Sequence, residues 1–330
     1  MKKILVSALI VLAAVPQALA IDIGFSDVPQ SHPNYIAITY LNTQGVVKGY
    51  EDGTFKPDQL VNRAEALKIL LVGSAIKINE VADIVSFSDI KTTDWFTKYI
   101  ETAKSLGYVS GNPDGTFAPG RNVSRAEYLK MLLNINGFKP DNWTGQALFS
   151  DVPVDAWFAP YMNYAGQAGL LTPDSGNNLL PGKEATRAEV AEIFYLLAVI
   201  RKGEDTQFLL SQAEAQMAQV EIYIDAGAPL LAKRAAELSV DMTQQAYKNL
   251  PDNNVVLGAA KLARAYDFLV NASIAASQQK TAEAADWANQ AIAKATEAWE
   301  ANNDLQTISR HIKDRANEIL SQLGVATQQI

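Results

Sequence analysis

Arg63, Arg125 and Arg187 stand 62 residues apart along the chain, each inside a near-identical tetrapeptide: Asn62-Arg63-Ala64-Glu65, Ser124-Arg125-Ala126-Glu127 and Thr186-Arg187-Ala188-Glu189. A polar N-cap residue followed three positions later by Glu, ahead of an apolar run, is the signature of a capping box that opens an α-helix. The cap explains the Ser, Thr, Asn and Glu but not the Arg. At the first helical position a guanidinium is expected beside free backbone N–H groups and the positive end of the helix dipole, a combination suited to an anion. The competing reading is an Arg that only pairs with a nearby carboxylate, Asp27, Asp89 or Asp151. Trp95 and Trp157 add a second chemistry, because an indole near a helix start either packs or floors a sugar site with its face.

The elements that must position these groups recur at the same interval. Phe25-Ser26-Asp27-Val28, Phe87-Ser88-Asp89-Ile90 and Phe149-Ser150-Asp151-Val152 each read as a turn or cap before a first helix. Trp95, Tyr99, Ala103 and Leu106 fall at helical spacing, as do Trp157, Tyr161, Ala165 and Ala168, and both stripes read mainly as core. Gly45, Gly107 and Gly169 mark the helix ends. The loops that follow run from Gly49 to Pro57 and from Gly111 to Pro119, with Asp-Gly for a tight turn and Phe55 or Phe117 as an anchor. In the third copy the loop runs from Pro173 to Pro181, with Leu179 in the Phe position and no Asp-Gly. The second helices bury Leu67, Leu70 and Leu71, then Leu129, Leu132 and Leu133, then Ile193, Leu196 and Leu197. One helix-loop-helix cannot cover its own apolar stripe, so the spacing predicts an all-α fold in which three copies close round a shared core with pseudo-threefold symmetry.

Phe-Ser-Asp-Val, the Gly-x-x-Asp-Gly-Thr-Phe-x-Pro loop and Thr-Arg-Ala-Glu together resemble the S-layer homology family of bacterial cell-envelope proteins, over about residues 22–200. The resemblance implies non-covalent anchoring to a pyruvylated secondary cell-wall polysaccharide, with ligand in grooves between repeats and Arg63, Arg125 and Arg187 engaging the acidic sugar. It implies a location outside the cell, in the wall or S-layer. The first copy departs from the family pattern at Asn62 and at Pro33, where the others have Trp, and the third departs in its loop. The second copy is the most complete, so Arg125→Ala is expected to weaken binding most while costing little stability.

The expected organisation is a signal peptide over 1–20, repeats over 22–82, 83–144 and 145–200, and a separate C-terminal helical domain over 203–330. The leader reads from Lys2-Lys3, an apolar run from Ile4 to Val15 and a small-residue site ending at Ala20. Beyond Arg201, Ala and Gln dominate and the repeat vanishes. Breaks at Gly227-Ala228-Pro229, Pro251-Asp252-Asn253-Asn254, Gln279-Lys280-Thr281 and Asn302-Asn303-Asp304 divide it into about five helices, read as a bundle rather than a tetratricopeptide-like array. Ala282, Ala285, Ala288, Ala291 and Ala295 suit close helix packing.

Composition narrows the chemistry. There is no Cys, so no disulfide, thiolate nucleophile or zinc-finger set is available, and only His32 and His311 are present. The net charge of −8, which becomes −10 once the two leader lysines are removed (−8 − 2), argues against nucleic acid as a partner. The Asp-Gly loops hold too few carboxylates for calcium. Glu214, Glu237, Glu283 and Glu297 are scattered along helices rather than paired as in a glycosidase. The reading is therefore a wall-binding protein, not an enzyme and without a cofactor. The rivals are a lattice subunit that self-associates or meets a protein partner through 203–330, and an envelope hydrolase or solute-binding protein with an unrecognised site.

Overall fold

A computed structural model describes residues 24–80, 85–138 and 145–327. The expected leader at 1–20 and most of the short polar linker that the sequence places around 139–145, between the second and third copies, lie outside these residues. Among the described residues the fold is all-α, with helices α1 (Tyr35–Thr43), α2 (Arg63–Gly73), α3 (Thr97–Ser105), α4 (Arg125–Ile135), α5 (Ala159–Gln167), α6 (Arg187–Arg201), α7 (Thr206–Asp225), α8 (Pro229–Asn249), α9 (Asn254–Ser277), α10 (Thr281–Ala301) and α11 (Gln306–Gln322). Two compact units result. One comprises residues 24–28 and 37–198, and the other comprises 29–36 with the chain from 199 onward.

In the repeat unit, the caps form as their spacing requires. Asn62 Oδ1 accepts from the Glu65 N–H while Glu65 accepts from the Asn62 N–H, and Ser124 with Glu127 does the same. In the third copy Thr186 Oγ1 accepts from the Glu189 N–H at 3.2 Å. The first helices end in Schellman turns: the Gly45 N–H donates to Asn42 O and the Val46 N–H to Leu41 O, with Gly45 at φ 69°.

The three copies are tied at their centre by backbone. The N–H of Val61 donates to Ala185 O, that of Ala185 to Val123 O, and that of Val123 to Val61 O, at 3.0, 2.9 and 3.0 Å. All three residues are fully buried. The bonds form a closed ring about the pseudo-threefold axis, and the apolar faces of α2, α4 and α6 pack beneath it. The helix N-termini are bound in the opposite sense, each to the following copy: Arg63 and Ala64 N–H donate to Arg121 O and Pro119 O, Arg125 and Ala126 to Lys183 O and Pro181 O, and Arg187 and Ala188 to Gln59 O and Pro57 O.

Each loop is secured from within its own copy. Asp27 accepts from the N–H groups of Phe55 and Lys56, Asp89 from Phe117 and Ala118, and Asp151 from Leu179 and Leu180, all at 2.7–2.9 Å. The second residue of each pair, Lys56, Ala118 or Leu180, lies at φ 55–57°, a left-handed conformation that costs a non-glycine residue about 1 kcal/mol. The two charged hydrogen bonds offset that cost.

In the C-terminal helices, the breaks fall where turn residues mark them. Each of α7 to α11 packs chiefly on its neighbours in sequence. Ala236, Ala263, Ala288, Ala291, Ala295 and Ala298 are buried at the contacts, so the helices approach closely. Ala284 rather than Ala282 opens this stripe, because Ala282 is on the exposed face. A polar cluster joins α7, α9 and α11: Glu221 lies 3.2 Å from His311 and 3.6 Å from Arg315, and Arg315 reaches Asp225 at 2.9 Å. Buried Tyr266 lies against Glu221.

Two expectations follow. Asp151→Ala strips two backbone N–H groups of their carboxylate and should cost about 2 kcal/mol in a denaturant titration. For His311, hydrogen bonding to Glu221 raises the imidazole pKa, against the opposing effect of burial. The folded value exceeds the unfolded one, so its stabilisation is complete below about pH 6.5 and is lost as pH rises through the folded value. Thermal unfolding should therefore show a loss of Tm with rising pH that His311→Gln flattens.

Candidate functional site

The guanidinium groups do not point back into their own copies. Arg63 Nε donates to Phe117 O at 3.0 Å, Arg125 Nη1 to Leu179 O at 2.8 Å and Arg187 Nε to Phe55 O at 2.9 Å, so each reaches the loop of the next copy round the ring. Arg63 stacks 4.6 Å above the Phe117 ring, and Arg187 lies 4.5 Å from Phe55 and 5.1 Å from Tyr50. Arg125 meets Leu179 instead and has no ring beneath it. The free helix amides expected beside each Arg are absent, because neighbouring loops and caps consume them. Any anion site here depends on side chains.

The three Asp are likewise not the partners of the Arg, since their oxygens serve the loop amides. The carboxylates that answer the Arg come from the capping boxes of the following copy. Arg63 Nη1 lies 3.9 Å from Glu127, which Arg121 also holds at 2.6 Å. Arg125 Nε is bonded directly to Glu189, both side chains being about 15% exposed. Burial draws the Arg63 pKa below its ordinary value and Arg121 adds to this, while Glu127 and Asp89 favour the charge. Burial works to raise the Glu127 pKa, but hydrogen bonds from Arg121 and the Ser124 N–H outweigh it and keep the carboxylate ionised.

Trp95 and Trp157 depart from the packing reading. Both precede their helices, α3 and α5, and are 51% and 53% exposed. Leu106 is half exposed too, whereas Ala103 and Ala165 are buried as expected. Each indole faces a lysine of the preceding copy: Lys68 Nζ lies 5.4 Å from the Trp95 ring and Lys130 Nζ 5.1 Å from Trp157. These lysines are additions to the sequence reading. Their signal was available, since each follows its Arg by five residues in Arg-Ala-Glu-x-x-Lys.

Two cavities are lined by members of this set, the first with an arginine and the second without. One of about 210 Å³ is lined by Arg63, Arg121, Lys130, Glu127, Trp157 and the loop around Gly111 and Asn112. It draws on all three copies. Gly111 is required, since a Cβ there would sit 2.2 Å from the Phe87 ring, at a φ of 75°. Three cations against one carboxylate, beside an exposed indole, suit an anionic group on a partly apolar ring. The volume, below the roughly 300 Å³ at which drug-sized sites begin, matches a single small unit. The other cavity, of about 410 Å³, is lined by Lys68, Lys98, Trp95, Tyr99, Thr92, Asp94 and Glu80, with Lys98 paired to Glu80 at 2.7 Å. Of the three arginines only Arg63 lines one of these cavities; Arg125 and Arg187 line neither. Among the described residues no group of His, Asp and Glu is placed to hold a metal ion.

The family model of the S-layer homology domain matches residues 24–67, 86–129 and 148–191. Among curated proteins the chain is 36% identical over 141 residues to a cell surface glycoprotein 1 of Acetivibrio thermocellus, covering 40% of this chain and 6% of that protein. It is 37% identical over 139 residues to a cellulosome-anchoring protein of the same organism, covering 41% and 30%. To S-layer protein EA1 of Bacillus anthracis it is 31% identical over 175 residues, covering 52% and 20%. The chain thus spans less than a third of each of these relatives.

The two best-enclosed arginines should differ under mutation. Arg125→Ala leaves the half-buried Glu189 with only Lys183, 4.0 Å away and itself exposed, and should cost about 2 kcal/mol. Arg63→Ala leaves Glu127 with Arg121 and should cost about 1 kcal/mol, for the lost ring contact and hydrogen bond. Chemical denaturation of the two variants checks the order, which reverses the expectation that Arg125 is structurally dispensable.

Proposed function

Because the chain carries three S-layer homology domains, we propose that it is a non-enzymatic anchor that holds to the bacterial cell surface by binding an acidic, pyruvylated secondary wall polysaccharide. The observation that carries this reading is the cavity in which Arg63, Lys130 and Trp157 meet. A pyruvate ketal is a carboxylate fixed to a sugar ring. Arginine and lysine pair with the carboxylate through charge-assisted hydrogen bonds, and the indole face covers the C–H side of the ring. Arg187, Lys68 and Trp95 supply the same three groups one step round the ring, and Arg125 belongs to the remaining step. The asparagine and glycine of the loop fix the sugar's orientation. Asp27, Asp89 and Asp151 support the site indirectly by holding the loops that form its walls.

A polymer that repeats its acidic sugar meets more than one such site on one scaffold, so each later contact is intramolecular. The C-terminal helices over 203–330 are what the anchor carries to the surface, and a leader over 1–20 would direct export.

Purified walls provide the test. The full chain should sediment with them and stay in solution when the walls have been stripped of polymer by acid. Binding should weaken at acidic pH as the ketal carboxylate protonates. Sedimentation with stripped walls to the same extent would refute polymer binding. Trp157→Ala, at an exposed position, should lower wall binding without changing Tm, and an equal loss of both would return Trp157 to a packing role.

A further inference from the structure

The charge and ring that define each site are not distributed over three steps of the ring but over two. Arg63 and Arg187 belong to steps that include a lysine over a tryptophan, Lys130 with Trp157 and Lys68 with Trp95. In the 62-residue register the third step holds Glu192 where the lysine should be and Pro33 where the tryptophan should be. Both members of the pair are replaced together, and the lysine's charge is reversed.

The remaining member, Arg125, is also differently placed. Its Nε is taken by Glu189 and its Nη1 by Leu179 O, and Leu179 offers it no ring. The Glu127 that faces Arg63, by contrast, is held mainly by Arg121. A third observation concerns the residues around Pro33. Tyr223 of α7 is 3% exposed and donates to His32 O and Pro33 O at 3.0 and 3.1 Å, and Gln219, 2% exposed, donates to Gln30 O. Two buried polar side chains one helical turn apart are thus given to the backbone of residues 30–33. This is the element that presents the exposed tryptophan in the other copies.

We infer that this chain is a two-site anchor: the steps of Arg63 and Arg187 take the acidic sugar, while in the first copy the element around Pro33 has become the seat of α7 and its step takes none. The inference rests on the functional reading above and adds the number and identity of its sites. Replacing a cation with Glu192 repels a carboxylate, and replacing an indole with proline removes the platform, so neither half of the chemistry survives there.

The test uses the full chain and two probes, a synthetic methyl hexoside bearing a pyruvate ketal and acid-released wall polymer. Calorimetric titration with the monosaccharide should give two sites per chain. With polymer, either Trp95→Ala or Trp157→Ala should reduce affinity by about 10²-fold, because a single remaining site has no avidity, and the double variant should not bind. Glu192→Gln should leave stoichiometry and polymer affinity as in the wild type. Three equivalent sites, residual polymer binding by the double Trp variant, or a changed affinity in Glu192→Gln would overturn the two-site inference and leave wall anchoring standing. A wild-type chain that binds neither probe would overturn the functional reading and this inference with it.

Discussion

The ring of backbone hydrogen bonds from Val61 to Ala185 to Val123 and back is the contact on which the repeat unit depends. A buried N–H without a partner costs as much as several favourable contacts provide, and here each copy supplies the partner that another lacks. The same exchange extends outward, since the first amides of α2, α4 and α6 are bonded to carbonyls of the following copy's loop. No copy satisfies the first two amides of its own second helix. The capping boxes, the Asp-held loops and the Arg bridges add to a closure that the backbone already requires, and the cavities exist because the loops are held at the helix starts of their neighbours.

This also decides what an arginine at the first helical position does. A free helix terminus would let backbone amides bind an anion directly. Once those amides are used by the neighbouring loop, charge must come from side chains, and the unit supplies it with Arg63, Arg121, Lys130 and, one step on, Arg187 and Lys68. The guanidinium groups have two tasks: each bridges copies, and that of Arg63 also faces a cavity. Arg125, committed to Glu189, performs the first.

Much of this was legible in sequence, because the signals were local. The capping boxes are spaced by three residues, the Schellman glycines mark helix ends, and the breaks at Gly227, Pro251 and Asn302 are turn residues whose conformations are nearly independent of context. The repeat period gave the threefold closure. The direction of the closure was hidden: nothing in Ser124-Arg125-Ala126-Glu127 tells that Arg125 serves the third copy's loop or that Glu189 answers it. For that reason the second copy looked like a complete site, whereas the cavity with Arg63 draws its tryptophan from the third copy. The exposure of the two tryptophans was hidden too, because a residue two positions before a helix falls in phase with the helical stripe without sharing its burial.

A closed ring of three also constrains how such a chain can change in length. In an open solenoid a copy can be inserted or removed, since each unit asks only for a neighbour on either side. Here a fourth copy would find no vacant carbonyl to receive its amide, and deletion of one would leave Val61, Val123 or Ala185 facing an unpaired partner. The heritable unit of duplication is therefore the whole triplet. Divergence within it must proceed by substitution in place, which is the form taken by the exchanges at Pro33 and Glu192.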